Sequence, residues 1–245
     1  MNNESEPLDG LARLSDEAAP MRRRAYAVTA TLMLVNIVVF FAIESRAFGD
    51  PLTIKRGLAL IPRVLFGEAE LRIAHVAPAL TLVTSIFVHS GYVHLFGNMA
   101  FLFIFGSAVE AAMDSFFFLL FYISCGVAGG LAYAYSEPTS VTPYIGASGA
   151  ISGVCAAYVL LFAREALADW RAFLISFHVQ AWLLVGSWVV LQFYDLLFVA
   201  QTHVAFVAHV GGIVAGLAWA PLFKRPALTA KRERPPSSTG GLNQG

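Results

Sequence analysis

The chain has 245 residues, no net formal charge, 58% hydrophobic residues and only 13% charged ones, with a mean hydropathy of +0.68. Soluble domains carry about 25% charged residues, so these charges are too few to cover a water-facing surface. With no basic excess and no basic stripe, nothing points to a nucleic-acid partner.

Taken in chain order, the apolar runs read as roughly six membrane-spanning helices, each needing ~20 residues. A polar tail over 1–24 precedes the first span at 25–43 ("AYAVTATLMLVNIVVFFAI"). Arg22, Arg23 and Arg24 before it fit the start of a signal peptide. The apolar stretch exceeds the usual h-region of about 7–15 residues, so a retained anchor is expected. A long connection over 44–79 mixes charge with apolar residues and reads as an interfacial structure rather than a span. The second span is expected at about 90–111, the third at 115–135 and the fourth from Ser148 to about Ala163. The fifth is expected at 178–198 and the sixth at 205–223, followed by a disordered polar tail over 224–245. The spans and their connections form one domain over 25–223. Cys125 and Cys155 lie inside apolar runs and read as packing residues rather than a disulfide or metal pair.

An even number of spans puts both termini on one side. Arg22 to Arg24, Lys224 and Arg225 flank the ends, and Arg164 and Arg171 lie in the fourth connection. The positive-inside rule then predicts cytoplasmic termini, with "PYIGASGAISG" (143–153) facing outward. A span of about 16 residues from Ser148 rises only ~24 Å at 1.5 Å per residue, less than the ~30 Å hydrocarbon core. Its start therefore lies below the outer surface. Irregular backbone at that depth must be buried in protein or line a wet cavity. Ser148 is thus expected at the floor of a wet pocket, at a helix N-terminus whose open N–H groups favour negative charge.

A serine nucleophile needs a base, and "FVAHVGGIVAG" offers His209 near the outer end of the last span. His209, Gly212 and Gly216 share one helical face. Gly149 and Gly153 form the matching small-xxx-small pair beside Ser148, and small residues let membrane helices approach closely. The alternative is a glycine-packed helix pair with incidental Ser and His. Ionisable groups inside membranes default to function, which favours a site. In "TSIFVHSGYVHLFGNMAFLFIFG" (84–106), His94 and Asn98 stand at i, i+4 on one face. An imidazole and an amide facing one cavity can donate to a developing oxyanion. Polar helix contacts remain the other reading. His89 lies about 140° from His94 at ~100° per residue, and there is no HExxH pattern, so no metal site and no cofactor are expected.

Three motifs together, "GASG" opening a short span, "AHVGGIVAG" on the last span and "TSIFVHSGYVHLFGNM" on the second, resemble the rhomboid intramembrane serine proteases over about residues 26–223. The resemblance implies a six-transmembrane-helix bundle with a long first loop, an all-α polytopic membrane protein. It implies Ser148 as nucleophile, His209 as general base, and His94 with Asn98 in the oxyanion hole. It further implies transmembrane protein substrates cleaved within the lipid bilayer, in a bacterial inner membrane. Many rhomboids have a Trp-Arg pair in the first loop, where this chain has "APALTLVTSIF". Some place a Tyr one turn after the nucleophile, where this chain has Ser152. Asp195 falls between Ser148 and His209 in the chain, but it sits near a span end, and a Ser-His dyad is the expectation rather than a triad. A soluble α/β-hydrolase would need Gly-x-Ser-x-Gly on a strand-to-helix elbow, and Ala150 occupies the last position. A transporter would show inverted repeats, which are not visible. A catalytically weak rhomboid-like protein that binds or chaperones membrane proteins is the alternative function.

Overall fold

The computed structural model describes residues 26–168, 186 and 203–223. Most of the expected fifth span, Asp195 within it, and both expected tails lie outside the described residues. Among the described residues the fold is helical, with one isolated antiparallel bridge and no strand. Among the described residues four helices are long and apolar enough to cross a membrane: Ala27–Glu44, Tyr92–Met113, Ser115–Ser136 and Phe206–Phe223. Large apolar side chains stand open on them, such as Val93 at 89% and Val214 at 61% exposure. Such surface is costly against water and neutral against lipid tails, so the protein is an integral membrane protein.

The first helix, α1 (Ala27–Glu44), contains no charge before its last residue. Its few polar side chains include Thr29 and Asn36, both buried, and the Asn36 amide donates to the Leu32 carbonyl at 2.7 Å. No side chain of its own caps its N-terminus. Glu110 does so from elsewhere. Its buried carboxylate accepts from the N–H groups of Val28 (3.0 Å) and Thr29 (2.8 Å), the Thr29 hydroxyl (2.7 Å) and the Ser115 hydroxyl (2.6 Å). Four donors converging on one carboxylate satisfy orphan helix-start amides that lipid cannot. Glu110→Ala is therefore expected to lower the thermal midpoint in detergent, at a cost in stability of about 1–3 kcal/mol for buried donors left unpaired. Glu110→Gln should fall between Glu110→Ala and wild type. An unchanged midpoint in Glu110→Ala would show that the network adds nothing to stability.

The first connection folds into two short helices, α2 (Pro51–Leu58) and α3 (Pro62–Leu65), followed by α4 (Thr81–Thr84) between two 3₁₀ turns. Asp50 caps α2 by accepting from the Thr53 N–H and hydroxyl, which holds its carboxyl below the usual carboxylate range. Lys55 pairs with Glu44 at 2.6 Å and donates to the Ser90 carbonyl at 3.1 Å, tying α2 to the end of α1 and to the chain before the next span.

That span is one continuous helix with a change of winding. It comprises α5 (Tyr92–Phe101), a π-helical segment (Leu102–Gly106) and α6 (Ser107–Met113). Asp114, at φ +83°, breaks it, and α7 (Ser115–Ser136) starts immediately afterwards. Helix α8 (Ser148–Ala168) opens at Ser148 as expected but runs 21 residues, longer than the span of about 16 residues read from the sequence, because the helix continues through Arg164 and Glu165. Helix α9 (His203–Phe223) packs against both α7 and α8, which also pack against each other. Among the described residues these three helices pack together most extensively.

Candidate active site

The segment from Glu137 to Ala147 joins α7 to α8 without regular structure, yet its backbone is tied on several sides. Leu60 and Tyr144 exchange both backbone hydrogen bonds (3.1 and 2.8 Å). The Arg63 N–H donates to the Ser140 carbonyl, and the Gly146 N–H to the Ser85 carbonyl. Irregular chain beside a membrane span needs such partners, and the first connection supplies them. Gly146 has φ +124°, a backbone conformation that L side chains rarely adopt. A Cβ there would also stand 2.8 Å from His94 Nε2 and 3.8 Å from the Ser148 Oγ. The imidazole of His94 and the hydroxyl of Ser148 thus flank the same glycine.

Helix α8 begins without a polar side-chain cap from the preceding residue. The residue before Ser148 is Ala147, whose carbonyl accepts the Ile151 N–H at 3.0 Å. Alanine has no side-chain acceptor, so the first N–H groups of α8 receive nothing from it. Ser148 is partly accessible while its helix neighbours Gly149, Ala150, Ile151 and Ser152 are buried. A hydroxyl that reaches open space at a helix N-terminus has the electrostatics an attacking oxygen needs.

The glycines of α8 and α9 face each other. A Cβ on Gly212 would overlap the carbonyl oxygen of Gly149, and one on Gly216 would overlap that of Gly153. The Ala208 carbonyl oxygen is 3.6 Å from the position a Cβ on Gly149 would take. The turn of α9 carrying His209 is therefore packed against the start of α8, where Ser148 lies. His209 is buried, at 6% exposure.

His94 and Asn98 lie one turn apart on α5. The Ser90 and His94 side chains are joined at 3.0 Å through Nδ1, which directs the other ring nitrogen toward Gly146. The Asn98 amide donates to the His94 carbonyl at 2.9 Å. A primary amide has two N–H donors, so a second remains for another acceptor. His89 departs from the angular expectation. Helix α5 starts at Tyr92, so the 100° rule does not apply to it, and its buried ring sits 5.1 Å from that of His94, edge-on. Sequence reading missed His89 as a neighbour for that reason. It also passed over Tyr144, whose buried hydroxyl lies against Gly149.

Ser152 occupies the position one turn into α8 and donates to the Ser148 carbonyl at 2.6 Å. Cys125 and Cys155 are buried and free. Among the described residues no three His, Cys, Asp or Glu side chains cluster as metal ligands would. A cavity of about 410 Å³, lined by Glu44, Arg46, Asp50, Lys55, Ser90 and Ile145 among others, borders the site on the side of the first connection. Ser90 joins it to His94, and Ile145 joins it to Gly146.

The sequence profile of the Rhomboid domain matches residues 77–226, a stretch that holds Ser148, His209, His94 and Asn98. The chain is 28% identical to YdcA of Bacillus subtilis over 55% of its own length and 62% of YdcA. It is 29% identical to the rhomboid protease AarA of Providencia stuartii over 78% of its length and 70% of AarA. With the rhomboid protease GluP of Bacillus subtilis it shares 30% identity over 62% of its length, but only 28% of GluP. It therefore spans under two thirds of YdcA and less than a third of GluP. A profile match over more than half of the sequence, centred on the helices that carry these residues, shows that this chain belongs to the rhomboid family.

Proposed function

We propose that this protein is an intramembrane serine endopeptidase that cleaves membrane-protein substrates in or near their transmembrane segments, with Ser148 as nucleophile and His209 as general base. The observation that carries the reading is the glycine contact between α8 and α9. Gly212 against Gly149 and Gly216 against Gly153 leave no room for side chains between the turn of His209 and the helix start of Ser148. His209 takes the Ser148 proton as the oxygen attacks a substrate carbonyl, then returns it to the leaving amine. Water from the cavity beside Ser90 and Ile145 hydrolyses the acyl-enzyme. Asn98, His94 and the backbone N–H of Ser148 receive the oxyanion, acting where bulk water is scarce. No metal or cofactor enters this scheme, and the base acts within a Ser-His dyad.

The same reading places the chain in a bacterial inner membrane as a six-helix bundle over 25–223, with cytoplasmic termini and the mouth of the site facing outward. The test is cleavage of a single-span reporter protein in bilayers by wild type and Ser148→Ala. Product from wild type alone supports the protease. No product from folded wild type across several reporters favours the binding or chaperone role.

Asn98→Ala should lower kcat and leave KM nearly unchanged, because the oxyanion is fully formed only near the transition state. One such donor in a soluble serine protease accounts for roughly 10²–10³-fold. A smaller loss is expected here, since His94 and the Ser148 N–H remain. Steady-state kinetics on one reporter, with a thermal melt to check folding, decide it. A raised KM with kcat intact would leave Asn98 as a packing residue.

A further inference from the structure

We infer that Ser90 is a positioning residue for the oxyanion hole, holding His94 in the tautomer whose Nε2–H points toward Ser148. This rests on the reading of His94 as an oxyanion donor. An imidazole can serve there only through a ring N–H aimed at the developing charge, and a neutral ring carries its proton on one nitrogen or the other. What the second nitrogen meets decides which one. Nδ1 of His94 meets Ser90 twice. The Ser90 backbone N–H donates to it at 3.4 Å, and the Ser90 hydroxyl lies at 3.0 Å. A backbone N–H can only donate, so Nδ1 offers a lone pair. The hydroxyl then donates as well, and the ring proton resides on Nε2. A Cβ on Gly146 would stand 2.8 Å from that Nε2 and 3.8 Å from Ser148 Oγ, so the N–H is presented on the side of the nucleophile.

Helix geometry alone does not create this arrangement. Ser90 precedes Gly91, the residue that caps α5 and contributes no side-chain hydrogen bond. His94 lies in the first turn, so Ser90 reaches it across the helix start rather than along a helix face. What fixes Ser90 comes from the first connection. Lys55 donates to the Ser90 carbonyl at 3.1 Å, and is itself held by Glu44 at 2.6 Å and by the ring of Phe40, 5.8 Å from its centroid. The Lys55 side chain is largely sheltered, which limits screening of its charge. From the other side, the Asn98 amide donates to the His94 carbonyl at 2.9 Å. The His94 ring is thus held at Nδ1 and its backbone from the next turn. Ser90 also lines the cavity beside the site, where water competes for its hydroxyl, so the bond to His94 has the modest net worth of an ordinary hydrogen bond. Ser90 touches no reacting atom in this scheme and acts through His94 alone.

The test uses the full chain in bilayers, a single-span reporter, and the variants Ser90→Ala, Ser90→Thr and His94→Ala. Ser90 is exposed, so neither of its substitutions disturbs packing, and Thr keeps the hydroxyl. In Ser90→Ala kcat should fall roughly threefold to tenfold, the worth of one net hydrogen bond, with KM and the thermal midpoint unchanged. Ser90→Thr should recover most of that loss. In the His94→Ala background Ser90→Ala should cost nothing further, since a residue that acts only through His94 has no route left. Nitrogen NMR of protein carrying isotope-labelled histidine reads the tautomer directly, with the His94 signals assigned by their loss in His94→Ala. Wild type should show a protonated Nε2 and a bare Nδ1, and Ser90→Ala a mixture of tautomers. Unchanged kcat in Ser90→Ala, a raised KM with kcat intact, no recovery in Ser90→Thr, or a protonated Nδ1 in wild type would each overturn the positioning role. So would a loss that tracks the midpoint, or one that persists in full without His94. The Ser90 pair decides the matter even where His94→Ala fails to fold. Wild-type turnover in His94→Ala is a distinct result, which overturns the oxyanion reading on which the inference rests.

Discussion

Ser148→Ala and His209→Ala should each abolish proteolysis while leaving the protein folded in membranes. In a dyad the nucleophile and base act as a unit, so either loss removes nearly all the chemistry. In soluble serine proteases such single losses cost up to about 10⁶-fold in kcat, and a loss of at least roughly 10⁴-fold is expected here. Folding should survive. Ser148 is only partly buried, and Ser→Ala removes one oxygen at a helix start. His209 is buried, so His209→Ala leaves a cavity that costs some stability. His209→Gln, closer in volume, separates that cost from the loss of the base. Turnover near wild type in Ser148→Ala or in both His209 variants would sink the dyad.

The second large effect is steric. A side chain on Gly212 would overlap the Gly149 carbonyl oxygen, which is backbone and cannot rotate away. Gly212→Val must therefore push α9 from α8. Overpacking of a tight interior costs about 1–3 kcal/mol or more, and membrane helices held by small residues have few other contacts to offset it. Displacement also moves the turn of His209 away from Ser148, and an error of ~1 Å in a reacting pair can cost about 10²-fold. Gly212→Val should show a lower thermal midpoint in detergent and at least a hundredfold lower kcat. Gly216→Val, one turn further from the site, should match it in stability loss and exceed it in residual activity. An unchanged midpoint in Gly212→Val would mean that the helices do not meet through this glycine.

Much of this was legible because membrane physics writes itself into local sequence. Long apolar runs announce α1, α7 and α9, since a bilayer demands length and apolarity together. The start of α8 at Ser148 was legible from the small-residue motif that opens its apolar run, and the contact of Gly149 with Gly212 from spacing on one helical face. What sequence hid were partners distant in the chain. Leu60 pairs with Tyr144, and no local pattern relates them. Glu110 stands inside a span, and its carboxylate is taken up by amides 81 and 82 residues away. His89 was misjudged because the angular rule was applied across a helix start that the sequence does not mark. Tyr144 gave no signal, because an aromatic in an irregular loop has no periodicity to betray its direction.

The central claim is that Ser148 is an activated nucleophile, and its most direct measurement is covalent. Purified wild type, Ser148→Ala and His209→Ala, reconstituted in bilayers and shown folded by thermal melts, are incubated with a fluorophosphonate. Intact mass and peptide mapping then locate the adduct. The account predicts one adduct on wild type, mapped to Ser148, none on Ser148→Ala, and labelling of His209→Ala slowed by orders of magnitude. Folded wild type without an adduct, or an adduct that persists in Ser148→Ala, would contradict it.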